Sequence, residues 1–513
     1  MDLKILLDKD SQTPLYIQIH EQIVSLVRDG LLAPGERISS VRNLAKDLDV
    51  SVTTVFNAYD MLAAENIIER RSGSGTYITE HPEIALGSNL RTREETIAAQ
   101  QERTPMEWSP LVIPTEYFGV PRSRRFHGKG ISFSNNFPDP ALFPFDRIKQ
   151  VATSMLWNPQ EFFFDTGHAQ GYQPLVEHLE KEMALNGVAM AEGENDIIIS
   201  GGFRRALGLV LSMILRPGQQ VAIEAPTFHG IFNCLSVQQI PFVQIELDEQ
   251  GMRTDLLEQE LKSGRIGAIV VTPTYHNPTG ITMSMERRSR LLDLAEQYKV
   301  PIIEDDYGRQ LRYEGQAPLP LKAMDSGNYV IHIGTYAKSF LPGIRVGWIC
   351  APSSLAFNIV AAKLGRDSGD SYFLQVLLHE FIQRGYYAKH VRHAAREYRK
   401  RRNVMDRVLR ENLPAGCSYD LPNGGFAFWL RLPAGIRGIA LLSMCRRAGV
   451  DFNPGAFLMP DHSDISALRL SFSRTATSEI EEGVPILCRQ IEQAIADPAL
   501  LRDEASSFKD LYE

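Results

Sequence analysis

Val330-Ile331-His332-Ile333-Gly334-Thr335-Tyr336-Ala337-Lys338-Ser339, closed by Pro342-Gly343-Ile344-Arg345-Val346-Gly347, is an apolar run that breaks into a polar loop holding one lysine and one arginine. Residues 330–333 have the length and β-branched content of a buried strand, so the loop follows a strand end. Three other stretches belong with it: Asn277-Pro278-Thr279-Gly280 after the apolar residues 268–271, Glu304-Asp305-Asp306-Tyr307 after 302–303, and Ala467-Leu468-Arg469-Leu470-Ser471-Phe472 far downstream. Residues 222–223 are a further short strand candidate, and 287–298 keep helical spacing between two of the strands. Strands alternating with amphipathic helices predict an α/β domain, a mostly parallel sheet with flanking helices. Singly the stretches mean little, because a lone Lys is usually a surface charge and Asn-Pro-Thr-Gly is usually a turn. Four of them in this order, on alternating strands and loops, point to one site.

The residue types match what pyridoxal 5'-phosphate requires. That cofactor needs an amine for a Schiff base, and Lys338 supplies one. Its phosphate needs cationic and hydroxyl donors, and Arg345 and Thr335 lie one loop away. Its pyridine nitrogen is an electron sink only when protonated; a carboxylate held against it favours that form, and Asp305 suits. Its phenolic oxygen needs donors, for which Asn277 and Tyr307 are the candidates. An amino-acid ligand needs a fork for its carboxylate, and Arg469 offers the planar guanidinium.

The first 80 residues read as a separate module. Thr13-Pro14 starts a helix, with Thr as N-cap, and Tyr16, Ile19, Ile23, Leu26 and Val27 keep its apolar face. Ser39 or Ser40 opens a second helix. After Asp49-Val50-Ser51 comes a third, over 51–65, with Val55, Ala58, Tyr59 and Leu62 inward. Ile67-Ile68-Glu69-Arg70-Arg71, Ser72-Gly73-Ser74-Gly75 and Thr76-Tyr77-Ile78 then read as strand, glycine turn, strand. Together these make a winged helix-turn-helix. Its third helix enters a DNA major groove, so Ser51, Thr53 and Thr54 are expected at the operator, with Arg42, Arg70, Arg71, Gly73 and Gly75 on the phosphates.

The remaining composition sets bounds. A chain of 513 residues exceeds what one core usually holds, so several domains are expected. The net charge of −8 gives no global attraction to nucleic acid, and residues 1–80 hold eight Lys/Arg against twelve Asp/Glu. Any DNA contact therefore depends on local arrangement. No apolar run of about 18 residues is long enough to span a membrane. Five scattered cysteines without a C-x-x-C pair argue against a disulfide framework or a metal site and fit a cytoplasmic protein. Residues 81–130 lose periodicity and read as a linker, with one short helix near 93–101 and a basic cluster over 122–129.

The N-terminal stretches Pro14-Leu15-Tyr16, Pro34-Gly35-Glu36-Arg37-Ile38, Ser40-Val41-Arg42-Asn43-Leu44-Ala45, Val50-Ser51, Thr53-Thr54-Val55 and Gly73-Ser74-Gly75-Thr76-Tyr77 resemble the GntR family of bacterial regulators. From about residue 131 to 494 the chain resembles the fold-type-I pyridoxal-phosphate enzymes of aminotransferase class I/II. Ser200-Gly201-Gly202 with Ala206-Leu207 matches that family's phosphate loop, which implies cofactor contacts from Gly202, Phe203 and Arg204. Glu224-Ala225-Pro226-Thr227-Phe228 matches the loop whose aromatic residue stacks on the cofactor ring, here Phe228. The resemblance also implies that Asp305, the first carboxylate of its strand end, rather than Asp306, faces the pyridine nitrogen. It further implies that Arg469 sits on a small C-terminal α+β subdomain.

A GntR-like head on an aminotransferase-like body resembles the MocR-type regulators. That pairing implies a head-to-tail, domain-swapped homodimer whose DNA binding answers to a ligand. The expected organisation is a DNA-binding head over 1–80, a linker over 81–130 and a cofactor-binding effector domain over 131–513. The expected function is a transcriptional regulator that senses a small amine or amino acid, or the cofactor itself. The alternative is an aminotransferase with an appended DNA-binding domain.

Overall fold

The structure is a computed structural model that describes residues 5–9, 11, 13–71, 74–82, 130–157, 167–316, 318–366 and 369–501. The chain divides into two compact units, Met1–Ile113 and Pro114–Glu513. Most of the linker expected over 81–130, with its short helix and basic cluster, lies outside the described residues, as does Gly73.

In the first unit, helices α1 (Leu15–Arg28), α2 (Val41–Asp47) and α3 (Val52–Ala64) pack around Ile19, Ile23, Leu44, Val55, Ala58, Tyr59 and Leu62. Burying such side chains contributes about 1.5–3 kcal/mol each. Ser40, not Ser39, caps α2 by accepting from the Asn43 amide at 3.3 Å, while the Ser39 carbonyl accepts from the Tyr59 hydroxyl at 2.8 Å. The cap of α1 differs from expectation. Pro14 takes that position with extended backbone and no side-chain cap bond, and its carbonyl accepts from the Ile17 and Gln18 amides. Strands β2 (Ile68–Arg71) and β3 (Gly75–Ile78) form the wing. A third strand, β1 (Arg37–Ile38), pairs antiparallel with β3; at two residues it is too short for an alternating pattern to reveal.

The second unit opens with β4 (Ile131–Ser132) and is built on an eight-stranded sheet of β5 (Asn195–Ser200), β6 (Gln220–Ala225), β7 (Phe242–Asp248), β8 (Gly251–Met252), β9 (Ile266–Val271), β10 (Ile302–Asp306), β11 (Val330–Thr335) and β12 (Gly347–Pro352). The order is β5-β12-β11-β10-β9-β6-β7-β8. The run from β11 to β7 is parallel, whereas β12 is antiparallel to both neighbours. Every residue of β9, β10 and β11 is buried, as expected for strands covered on both faces. Helices such as Phe203–Ile214 and Met285–Tyr298 supply the cover.

A second sheet completes this unit: β13 (Ser418–Tyr419), β14 (Ala427–Arg431), β16 (Asn453–Pro454) and β17 (Ala467–Ser471), in the order β13-β14-β17-β16. The helices Tyr386–Asn412 and Thr477–Ala496 share its core. The unit's first strand returns to this smaller sheet region, because β4 pairs with β15 (Val450–Asp451). Residues 134–137 are thereby carried to the junction between the two sheets.

Candidate functional site: a cavity at the strand ends

Loops leaving the C-terminal ends of the large sheet converge on a cavity of about 620 Å³. Such crevices are where open α/β sheets bind ligands. Phe203, Arg204, Phe228, Asn277, Asp305, Tyr307, Thr335, Lys338, Arg345 and Arg469 all line it. These are ten of the eleven residues expected at the cofactor and ligand sites. Gly202 stands just behind the wall as the N-cap of the helix Phe203–Ile214.

Lys338 lines this cavity and is partly buried. Its amine donates to the carbonyl of Asn136 and sits 4.4 Å from the Phe137 ring centroid. Burial, and then the charge of Arg469, pushes the amine down to about 7. Asp305, near the end of β10, has its Oδ1 buried and, among the described residues, without a hydrogen-bond partner. Burial, and then the neighbouring Asp306 and Glu224, hold its carboxyl well above the usual range. Asp306 does not line the cavity: its Oδ2 accepts from Arg309 Nε at 2.9 Å and lies 3.9 Å from His332. Alternation along a strand sends the two adjacent carboxylates to opposite faces.

Arg469 crosses from β17 into the cavity. Its Nη1 donates to Asn277 Oδ1 at 3.0 Å, and its Nη2 lies 3.4 Å from the Ser134 carbonyl. Among the described residues Arg469 has no carboxylate partner, and burial lowers it to about 10. With its oxygen committed to Arg469, Asn277 keeps its amide hydrogens for another acceptor. The turn carrying it is pinned by His276, whose Nδ1 lies 2.8 Å from Thr279 Oγ1 and whose Nε2 lies 3.3 Å from Glu224. Tyr307 behaves differently from a free donor. Its hydroxyl donates to the Tyr275 carbonyl at 2.6 Å, so the single proton is already engaged.

An anion cradle adjoins these groups. Gly202 adopts φ +98, a conformation that L side chains rarely adopt, and a Cβ there would lie 3.3–3.4 Å from the Arg345 guanidinium. Arg345 donates to the Gly201 carbonyl, and the helix beginning at Phe203 aims its first amides at the same place. Thr335 Oγ1 accepts from the Ala337 amide at 3.2 Å.

Sequence reasoning missed several wall residues: Ser134 to Phe137, His229, Arg446, Asp451 and Asn453. Arg446 Nε donates to Asp451 Oδ1 at 2.8 Å. His229, beside Phe228 at 4.6 Å between ring centroids, is kept neutral by burial, Arg469 and Lys338, which push it down to about 3. Only His229 carried a signal, as the neighbour of Phe228.

In the first unit Ser51 Oγ accepts from the Thr54 amide at 3.0 Å and lies 2.7 Å from Thr54 Oγ1, so both hydroxyls serve the cap of α3. Thr53 and Arg42 are exposed. Val52 and Phe56, one helical turn apart, are 52% and 47% exposed, an apolar pair on the face expected to read bases. Arg70 pairs with Asp60 at 3.5 Å, and Arg71 pairs with Glu69. Gly75 has φ +127, and a Cβ there would press on Arg37 Nε at 2.9 Å. Arg37 is thus a wing cation that the sequence reading passed over.

Residues 131–484 match the family described as "Aminotransferase class I and II". The chain belongs to that family. Residues 15–78 match "Bacterial regulatory proteins, gntR family", which gives the chain a regulator head on an aminotransferase body. Aromatic-amino-acid aminotransferase 1 of Thermococcus litoralis is 33% identical over 368 residues, 71% of this chain and 88% of the relative. The probable rhizopine catabolism regulatory protein MocR of Rhizobium meliloti is 29% identical over 460 residues, 88% of each chain. Among solved structures, the α-aminoadipate aminotransferase LysN of Thermus thermophilus, complexed with N-(5'-phosphopyridoxyl)-L-leucine, superposes with a TM-score of 0.69 at 27% identity. The match covers 76% of this chain and 100% of that one. The likeness to MocR covers more of the chain than the likeness to the enzyme, 88% against 71%.

The family implies pyridoxal phosphate, and the cavity fits it on three counts. The Lys338 amine lines it, a cradle that a Cβ would crowd adjoins it, and the Asp305 oxygen has no partner among the described residues. Among those residues no helix is long and apolar enough to cross a membrane, and no group of three His, Cys, Asp or Glu could hold a metal ion.

Proposed function

We infer that this chain is a transcriptional regulator that reads double-stranded DNA through its winged helix-turn-helix and senses a small amine or amino acid in its cofactor cavity. The observation that carries this reading is the joining of an intact cavity to a regulator head in one chain. Pyridoxal phosphate, when bound, supplies a carbonyl that amines capture and a ring that withdraws electrons. Lys338 provides the attaching amine, and at about 7 it is half neutral near physiological pH, which makes it a nucleophile there. Arg345 and the amides after Gly202 hold the phosphate. Asp305 holds the pyridine nitrogen in its protonated form, because a cation opposite a buried carboxyl restores the ionised pair. Asn277 would offer its amide hydrogens to the phenolic oxygen, while Tyr307, its proton engaged, would pack against the cofactor, and Phe228 would cover the ring.

Arg469 receives the carboxylate of an amino-acid effector. Because it reaches the cavity from the smaller sheet, a ligand held by both Arg469 and the Lys338 side bridges two parts of the body. That bridging gives the differential affinity for two conformations that a switch requires. A second reading, an aminotransferase with an appended head, is favoured by one observation: no group expected for amine exchange is missing from the wall. Mapping chromosome occupancy in the source cell separates the two. Discrete promoter peaks support the regulator, and uniform background with steady amino-group transfer supports the enzyme.

A further inference from the structure

The helix Tyr386–Asn412 spans 27 residues and carries nine Lys/Arg against three Asp/Glu, in a chain whose net charge is −8. Its apolar face is spent on the core, with Ala394, Tyr398, Met405, Val408 and Leu409 buried. The outward face is cationic: Lys389, Arg392, Arg396 and Lys400 are all exposed. Steps of three and four residues set these four on one side of the helix. Their Cα atoms span about 16 Å at 1.5 Å per residue.

The two ends of this face differ in how their charge is met. Toward the C-terminus, Arg407 pairs with Glu411 and Glu481 and Arg410 with Asp406, and within the stretch Arg399 pairs with Glu314 at 3.9 Å. Among the described residues Lys389, Arg392, Arg396 and Lys400 have no ion-pair partner. Two of the four, Arg396 and Lys400, also line a shallow groove of about 460 Å³. Like charges three and four residues apart on a helix cost stability, so this row adds nothing to the fold.

We propose that this stripe is a second DNA contact, binding the phosphate backbone of duplex DNA through Lys389, Arg392, Arg396 and Lys400. About 16 Å of duplex presents roughly nine phosphate charges on its two strands, enough to engage four cations along one edge. The need is visible in the head, where eight Lys/Arg face twelve Asp/Glu and Arg70 and Arg71 already have acidic partners. Backbone contacts set affinity and salt dependence, not sequence choice, so the stripe supplies strength and the head supplies selection.

This inference rests on the reading of the chain as a DNA-binding regulator, and the test separates the two. The full-length protein, loaded with pyridoxal phosphate, is titrated onto a fluorescent 60-base-pair duplex of arbitrary sequence at several salt concentrations. A variant with Lys389→Gln, Arg392→Gln, Arg396→Gln and Lys400→Gln is compared with wild type, its fold checked by cofactor absorbance and melting temperature. Each phosphate contact contributes about 0.9 to the slope of log affinity against log salt. The slope is expected to fall by two to four in the variant, with affinity at low salt at least tenfold weaker. An unchanged slope, with wild type binding, overturns the stripe and leaves the regulator reading intact. No binding of this arbitrary duplex by wild type also overturns the stripe, while the regulator reading stands or falls on promoter occupancy. Loss of binding to phosphatidylglycerol vesicles with DNA binding unchanged assigns the stripe to a membrane surface and also overturns the proposal.

Discussion

Lys338→Ala is expected to abolish covalent retention of pyridoxal phosphate. Borohydride should fix the label on Lys338 in the wild-type protein and leave the variant unlabelled after dialysis. Two buried lysines are occupied elsewhere: Lys322 lies 3.5 Å from Asp325, and Lys363 lies 3.0 Å from Asp370. Neither lines this cavity. The pH dependence carries a sign. An ordinary lysine becomes nucleophilic only near pH 10.4. Because burial pushes Lys338 down to about 7, the rate of cofactor capture should rise through that pH and level off above it. Equal labelling of another lysine in the variant would show that the attaching amine has been misassigned.

Arg469→Ala should leave cofactor absorbance in place while removing recognition of the effector's carboxylate. Truncating one member of a buried charge pair costs about 2–5 kcal/mol. That corresponds to a loss of roughly thirtyfold or more in affinity. The informative comparison is an amino acid against the amine that lacks only its carboxylate. Wild type should discriminate between them, and the variant should bind both at the weaker level. Discrimination that survives the substitution would move carboxylate recognition to another cation at the wall, of which Arg446, paired with Asp451, is the next available.

Much of the site is legible in the chain because strand-end loops carry local signatures. The Thr335 to Lys338 spacing, the Asp305 strand end and the Gly202 turn each place a particular atom at the mouth of a parallel sheet, so short motifs sufficed. Strand alternation separates Asp305 from Asp306 without saying which of them faces the cavity, so that choice came from the family resemblance alone. What stayed hidden depends on tertiary pairing. Ser134 to Phe137 reach the cavity only because β4 pairs with β15, some 320 residues later, and no local pattern announces that. Asp451 and Asn453 arrive through strands of two residues each. The engaged hydroxyl of Tyr307 depends on a carbonyl 32 residues away. In the head, β1 escaped for the same reason of length, and Thr13 resembled a cap that Pro14 in fact occupies.

One ligand is expected to act on both the cavity and the DNA. Amino acids should be titrated into the full-length, cofactor-loaded protein on a promoter fragment that it occupies in the source cell. Visible absorbance and DNA affinity are followed in the same samples. One amino acid should change both with the same midpoint, and Arg469→Ala should remove both changes. Absorbance that responds across the series while DNA affinity stays constant would contradict it, and would make the body an enzyme that merely carries a DNA-binding head.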